Sequence, residues 1–277
     1  MLKGSKIRTF GLFLILLGLF CGLFWFLVPS VRPTVERVAQ TVTKERWTMV
    51  AIGDSLTEGV GDTTQKGGYV PLLGKALEKN YDVRVKTKNF GVSGNTSQQI
   101  LKRMTENKAI QKSLKSAKLM TVTVGGNDVL KVVKGNLSNL TVSSFKQPQK
   151  AYQKRLRQII DLARRDNPQL PIYIMGIYNP FYLNFPDLTA MQDIIDNWNE
   201  ATLAVTQSYQ GVYFVPINDL LYKGIDGKGG ITQETSGNIS ISNDALYDGD
   251  HFHPNNRGYA IMAEATMEKI RDTQSNW

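Results

Sequence analysis

The sequence predicts a three-layer α/β/α domain built on a five-stranded parallel sheet. Three observations lead there. Five short apolar runs are spread between Thr48 and Ile217. Stretches with helical periodicity alternate with them. Glycines stop the first three runs, where a chain leaving a strand must turn sharply. Runs that are apolar throughout suit strands buried on both faces, so helices should cover both sides of the sheet.

The elements follow in order. Thr48-Met49-Val50-Ala51-Ile52 is the first strand, ended by Gly53. Val70, Leu73 and Leu77 share one helical face. Val83 to Phe90 is the second strand, and residues 96–106 are expected to be helical. Leu119 to Val124 is the third strand, stopped by Gly125-Gly126. Tyr152, Leu156, Ile159, Ile160 and Ala163 fall on one face of a helix that ends near Asn167-Pro168. Pro171 to Tyr178 is the fourth strand, and Ile194, Trp198, Ala201 and Val205 mark the next helix. Val212 to Ile217 is the fifth strand. Tyr259, Met262, Ala263 and Ile270 mark the last helix, with Pro254 expected near its first turn. Residues 131–147 and 219–247 are polar and show no clear period, so they are expected as surface insertions, one of them a conceivable lid.

The N-terminus has a separate character. Residues 1–9 carry Lys3, Lys6 and Arg8 and no acid. Residues 10–28 hold no charged side chain, and nineteen residues of helix span roughly 28 Å, close to a hydrocarbon core of ~30 Å. The run is longer than the ~7–15 residues of a cleavable signal and lacks a small-residue cleavage site, so an uncleaved signal-anchor is favoured over secretion after cleavage. Preceding basic residues predict the tail inside and the body outside the cell membrane. The expected organisation is a basic tail (1–9), a transmembrane anchor (10–28), a stalk (29–46) and a catalytic domain (47–277). Cys21 lies within the apolar run, behind the bulky Phe20, and reads as a lipid-facing or packing residue.

The chain of 277 residues is long enough to bury a core without disulfides, and its single cysteine excludes an intrachain one. Net charge is +9, of which +6 remains once the basic tail is set aside. That balance reads as a solvated basic surface, with attraction to an anionic envelope as the lesser alternative. No nucleic-acid motif is present, and no nucleic-acid partner is expected.

Open parallel sheets place their sites beyond the carboxyl ends of the strands. Ser55 stands there, just after Gly53-Asp54. A serine hydroxyl needs a base to become a nucleophile, and the chain offers only His251 and His253. A carboxylate three residues before a histidine can accept its Nδ1–H. Asp250 with His253 and Asp248 with His251 both have that spacing. Pro254 would pin His253, so the Asp250–His253 pair is preferred. Oxyanion donors could come from Ser93-Gly94-Asn95 after the second strand and from Asn127 after the third. Each piece alone reads better as a turn; three loops ending consecutive strands, with an Asp-x-x-His loop, do not.

These residues resemble the SGNH hydrolases, also called GDSL esterases or lipases, over about residues 47–272. The family's blocks correspond to Gly53-Asp54-Ser55-Leu56, to Gly94 in Asn89-Phe90-Gly91-Val92-Ser93-Gly94, to Gly125-Gly126-Asn127-Asp128, and to Asp250-His251-Phe252-His253-Pro254. The resemblance implies a flavodoxin-like sheet and hydrolysis of a carboxylic ester through an acyl-serine, without cofactor or metal. It implies Ser55 as nucleophile, His253 as base, Asp250 as its orienter, and Ser55 N–H, Gly94 N–H and Asn127 as the oxyanion hole. Asp54, Phe181 and Tyr182 are candidate substrate contacts, and a monomer is expected. The ester could be a lipid, a lysophospholipid or an O-acetylated envelope glycan. Activity should rise with pH through the ordinary histidine range, ~6.5. Two rival readings are a metal site built from Asp54, Asp248, Asp250, His251 and His253, and a catalytically silent binding protein on the same scaffold.

Overall fold

A computed structural model describes residues 3–27, 44–135, 141–182, 189–222, 231–235 and 238–277. The chain forms two compact units, Met1–Thr43 and Lys44–Trp277. The first contains helix α1, Lys3–Leu27. Its Phe10–Leu27 stretch, with mean hydropathy 2.5, is long and apolar enough to cross a membrane, a test that a signal sequence also passes. Residues 29–43 of the expected stalk lie outside the described residues.

The second unit carries the sheet. Its strands are β1 (Arg46–Gly53), β2 (Arg84–Gly91), β3 (Leu119–Thr123), β4 (Ile172–Met175) and β5 (Val212–Val215). They run in the order β2-β1-β3-β4-β5, all neighbours parallel. This is the flavodoxin-like order, and the strand order reverses direction between β1 and β3, where such sheets hold their sites. Helices are α2 (Ser55–Glu58), α3 (Tyr69–Tyr81), α4 (Ser97–Glu106), α5 (Lys108–Lys115), α6 (Gly126–Gly135), α7 (Lys146–Arg164), α8 (Thr189–Gln207), α9 (Asn218–Tyr222) and α10 (Asn256–Thr273).

Alternation along each strand sorts the core into two layers. Val50, Ile52, Met120, Val122, Ile172 and Ile174 face α4, α5, α7 and α8. Met49, Ala51, Tyr173, Met175 and Val215 face α3 and α10. The helical faces read from the sequence are the buried ones: Val70, Leu73 and Leu77 on α3, and Tyr152, Leu156, Ile159, Ile160 and Ala163 on α7. Burying a side chain of this size contributes about 2 kcal/mol each, which is why periodicity predicts these helices.

Three expectations need correction. Pro254 precedes α10 rather than opening its first turn; Asn255 is the N-cap and accepts from the N–H groups of Arg257 and Gly258. Residues 131–147 are not one aperiodic insertion: Lys131–Gly135 complete α6, Val142–Phe145 form a 3-10 turn that buries Phe145, and α7 starts at Lys146. Two buried valines, Val129 and Val132, are too few to register as a period. Within 219–247, α9 is followed by an antiparallel hairpin of β6 (Ile231–Thr235) and β7 (Asn238–Ser242), and Ala245 and Leu246 are buried. Residues 136–140, 223–230 and 236–237 of those stretches lie outside the described residues.

Candidate active site

The carboxyl edge of β1 is built around absent side chains. A Cβ on Gly53 would lie 2.2 Å from Thr123 Oγ1 and 2.4 Å from Thr57 Oγ1. Only glycine lets the strand end pass so close to β3 and still turn at once into α2. Asp54 caps that helix, its Oδ1 accepting from Leu56 N–H at 3.1 Å and from Thr123 Oγ1 at 2.8 Å. Ser55 is therefore the first residue of α2, held at a helix N-terminus. Gly59, with φ 96°, ends the helix after one turn.

The loop before α10 brings His253 to the serine. His253 Nε2 lies 2.9 Å from Ser55 Oγ, and its Nδ1 lies 2.6 Å from Asp250 Oδ2. A proton on Nδ1 satisfies the carboxylate and leaves Nε2 as the acceptor for the serine hydroxyl. Asp250 is fixed in turn: its Oδ1 accepts the backbone N–H groups of Phe252 at 2.9 Å and His253 at 3.0 Å. Partial burial pushes the Asp250 carboxyl up, but the hydrogen bonds from the His253 ring and backbone and from Phe252 outweigh it and hold the group below the usual carboxylate range. The loop closes by Tyr247 N–H on His253 O at 2.7 Å and Tyr178 OH on Phe252 O at 2.6 Å. His251 is exposed, with φ 51°, in the same turn. Among the described residues, no three His, Cys, Asp or Glu side chains converge as metal ligands would.

The donor loops also meet here. Gly94, with φ 75°, stands on the exposed loop after β2, with open space where a Cβ would be. Asn127, in the first turn of α6, donates from Nδ2 to Asn95 O at 3.1 Å, which leaves its second amide hydrogen free to point elsewhere. The neighbouring Asp128 is buried and accepts from Ser97 N–H at 2.8 Å, Ser97 Oγ at 2.6 Å and Arg155 at 3.0 Å. That network ties α6 to α4 and α7.

Beside Ser55 is a small cleft of about 40 Å³, walled by Val124, Leu130, Ile177, Pro180 and Phe252 and floored by Gly126 and Gly176, with Asn127 at its rim. Asp54 contributes to its lining. Phe181 packs on Phe252, ring centroids 6.1 Å apart, and Tyr182 sits edge-on to Tyr222 at 4.5 Å; neither lines the cleft.

Sequence reasoning missed Arg103. Its guanidinium donates to Gly53 O at 2.9 Å, Phe90 O at 3.0 Å and Asn95 Oδ1 at 2.7 Å, and so binds the ends of β1 and β2 to the Gly94 loop. It also missed the buried hydroxyl chain behind Asp54, in which Thr123, Thr57, Tyr69 and Thr121 are linked at 2.8, 3.2 and 3.0 Å. Burial pushes the Asp54 carboxyl up to about 6, against the opposing hydrogen bonds from Thr123 and Leu56.

The flavodoxin-like sheet, with Ser55 opening the helix that follows its first strand, goes with a family match that places the chain among the carboxylic ester hydrolases. The chain belongs to the GDSL-like lipase/acylhydrolase family, whose profile matches residues 51–261. It is 32% identical over 246 residues to the uncharacterized protein YpmR of Bacillus subtilis, covering 87% of this chain and 89% of that protein. It is 25% identical over 220 residues to the spore germination lipase LipC of Bacillus licheniformis, covering 77% and 92% respectively. Among solved structures, the lipase Lip_vut3 from a goat rumen metagenome superimposes with a TM-score of 0.64 at 22% identity, over 80% of this chain and 96% of that one.

Proposed function

We propose that this protein is a serine esterase that works through an acyl-Ser55 intermediate, with its catalytic domain held outside the membrane by residues 10–28. The observation that carries the reading is the continuous line Ser55 Oγ–His253 Nε2 at 2.9 Å and His253 Nδ1–Asp250 Oδ2 at 2.6 Å. Ser55 attacks the ester carbonyl as His253 takes its proton. The same imidazolium then protonates the departing alkoxide, while Asp250 steadies the charge on the ring. Water, activated by His253, releases the acid and restores the serine. The backbone N–H groups of Ser55 and Gly94 and the free amide hydrogen of Asn127 receive the oxyanion.

The cleft supports a short acyl group. A water-sized group needs roughly 10–15 Å³ of such space, so 40 Å³ takes about three of them, the size of an acetyl or propionyl unit. The alcohol then lies on the solvent side, toward the exposed Gly94 loop. Full-length protein in detergent should hydrolyse p-nitrophenyl acetate faster than the octanoate, and Ser55→Ala should abolish both. Equal activity in wild type and Ser55→Ala would remove Ser55 from the mechanism, and a preference for octanoate would remove the short-acyl assignment. The name of LipC points toward lipid instead; the chain-length series separates the two.

A further inference from the structure

The segment that follows the nucleophile helix is folded in an unusual way. Between Gly59 and Gly68 five residues have positive φ: Gly59, Gly61, Gln65, Gly67 and Gly68. Such a path needs something to hold it, and Asp62 does so. Its Oδ1 accepts from Thr64 N–H at 2.9 Å and Thr64 Oγ1 at 2.6 Å. Its Oδ2 accepts from the N–H groups of Lys66, Gly67 and Gly68 at 3.0, 3.1 and 3.0 Å. Those donors outweigh its slight burial and hold the carboxyl below its usual range.

This loop is seated on the base-bearing segment. A Cβ on Gly61 would lie 2.5 Å from Pro254 O, 3.2 Å from Tyr247 Cβ and 3.3 Å from His253 Cβ, so the Gly61 backbone rests directly on the histidine. Thr63 N–H donates to Asn256 Oδ1 at 3.0 Å and Asn256 Nδ2 returns a bond to Thr63 Oγ1 at 2.7 Å. Tyr259 OH donates to Val60 O at 2.5 Å. The chain leaving Ser55 is thus latched to the chain leaving His253.

We infer that the Gly59–Gly68 loop, folded around Asp62, is a latch that sets the Ser55–His253 distance, and that Asp62 and Gly61 are positioning residues for the reaction. The inference rests on His253 being the base for Ser55. Gly61 bears on the Cβ of His253, while Asp250 holds its ring and its backbone N–H from within the same turn. Misplacing a reacting group by about 1 Å costs roughly 100-fold in rate, so a loosened latch should lower kcat and leave KM unchanged.

The test uses the full-length protein in detergent with p-nitrophenyl acetate, each variant's active sites titrated with a fluorophosphonate. Asp62→Ala and Gly61→Ala should lose roughly 10- to 100-fold in kcat per titrated site, with KM within a factor of about two. Asn256→Ala should show a smaller loss of the same kind, and Asn256→Asp, which keeps the acceptor for Thr63 N–H, should recover it. A merely structural loop would lower the melting temperature and the titratable fraction but leave kcat per site at the wild-type value; that result would overturn the latch. Should Gly61→Ala fail to fold, Asp62→Ala and the Asn256 pair decide the question alone. Ser55→Ala and His253→Ala are run beside them: activity surviving in those would defeat the serine mechanism itself, whereas their inactivity with a normal Asp62→Ala defeats only the latch.

Discussion

Arg103 donates to the carbonyl of Gly53 at 2.9 Å, and Gly53 stands two residues before Ser55. One cation on α4 therefore holds the strand end from which the serine turns. Its other two bonds hold Phe90 O and Asn95 Oδ1, so the same group sets the Gly94 loop. Burial holds the guanidinium pKa below its ordinary value against the opposing pull of Asp54, and a group this basic remains a cation. Lysine cannot reproduce three bonds in one plane. Arg103→Lys should lower kcat about 10-fold, and Arg103→Ala should in addition cost about 3 kcal/mol of stability, from lost hydrogen bonds to a charged group. Steady-state kinetics and denaturant unfolding of the two variants check this.

Asn127 is placed by Asn95 O at 3.1 Å, and its remaining amide hydrogen is the one the proposed mechanism offers to the oxyanion. Asn127→Ala should lower kcat by roughly 10²–10³ with little change in KM, the usual consequence of losing one oxyanion donor. Asn127→Asp removes the donor but keeps the size, and should do no better. A KM effect with kcat intact would reassign the residue to substrate binding.

The buried Asp54 carboxyl titrates at about 6 in the fold and at 3.8 when unperturbed. Between those values the folded protein holds a proton that the unfolded chain releases. Its contribution is therefore fully present below about pH 4 and is lost as pH rises through 6, a change of about 3 kcal/mol for two units. Asp250 works with the opposite sign: its depressed pKa contributes stability that is lost as pH falls below the usual carboxylate range. Asp54→Asn keeps an oxygen for Leu56 N–H and Thr123. It should abolish the loss between pH 4 and 7, seen as equal unfolding midpoints at those two pH values where the wild type differs.

Gly91 ends β2 against α2, and a Cβ there would lie 2.0 Å from Glu58 N and 2.5 Å from Thr57 C. Both are backbone atoms and cannot step aside. Gly91→Ala should destabilise the domain by about 3 kcal/mol or more and shift Ser55 with α2. Gly94→Ala, which meets no atom within 4 Å, should be milder, limited to the strain of its φ of 75°. Thermal unfolding of the pair tests the contrast.

The sheet was legible because its strands are apolar on both faces, as in Met49-Val50-Ala51-Ile52, and its long helices repeat buried residues at helical spacing, as on α7. The strand-end residues were legible because Gly53, Gly94 and Gly125 mark turns. The short helices α2, α5 and α6 were not: one to three turns carry too few apolar residues for a period. Arg103 and Asp62 were invisible for another reason. Two of the three bonds of Arg103 go to backbone carbonyls and four of the five of Asp62 come from backbone N–H groups of its own loop, groups that leave little side-chain pattern to find. The β6–β7 hairpin was hidden in a polar stretch that lacks the continuous apolar run marking the strands of the sheet.

Ser55 and His253 stand 198 residues apart in the chain, and the histidine belongs to the segment that leads into the last helix. α10 must settle on α3 before the hydroxyl meets the imidazole. On that reading, a chain emerging from its amino end carries a chemically idle serine until α10 has docked. Under the proposed mechanism, ester cleavage reports that α10 is seated on α3, and a cut that frees α10 would silence the site without touching a reacting group.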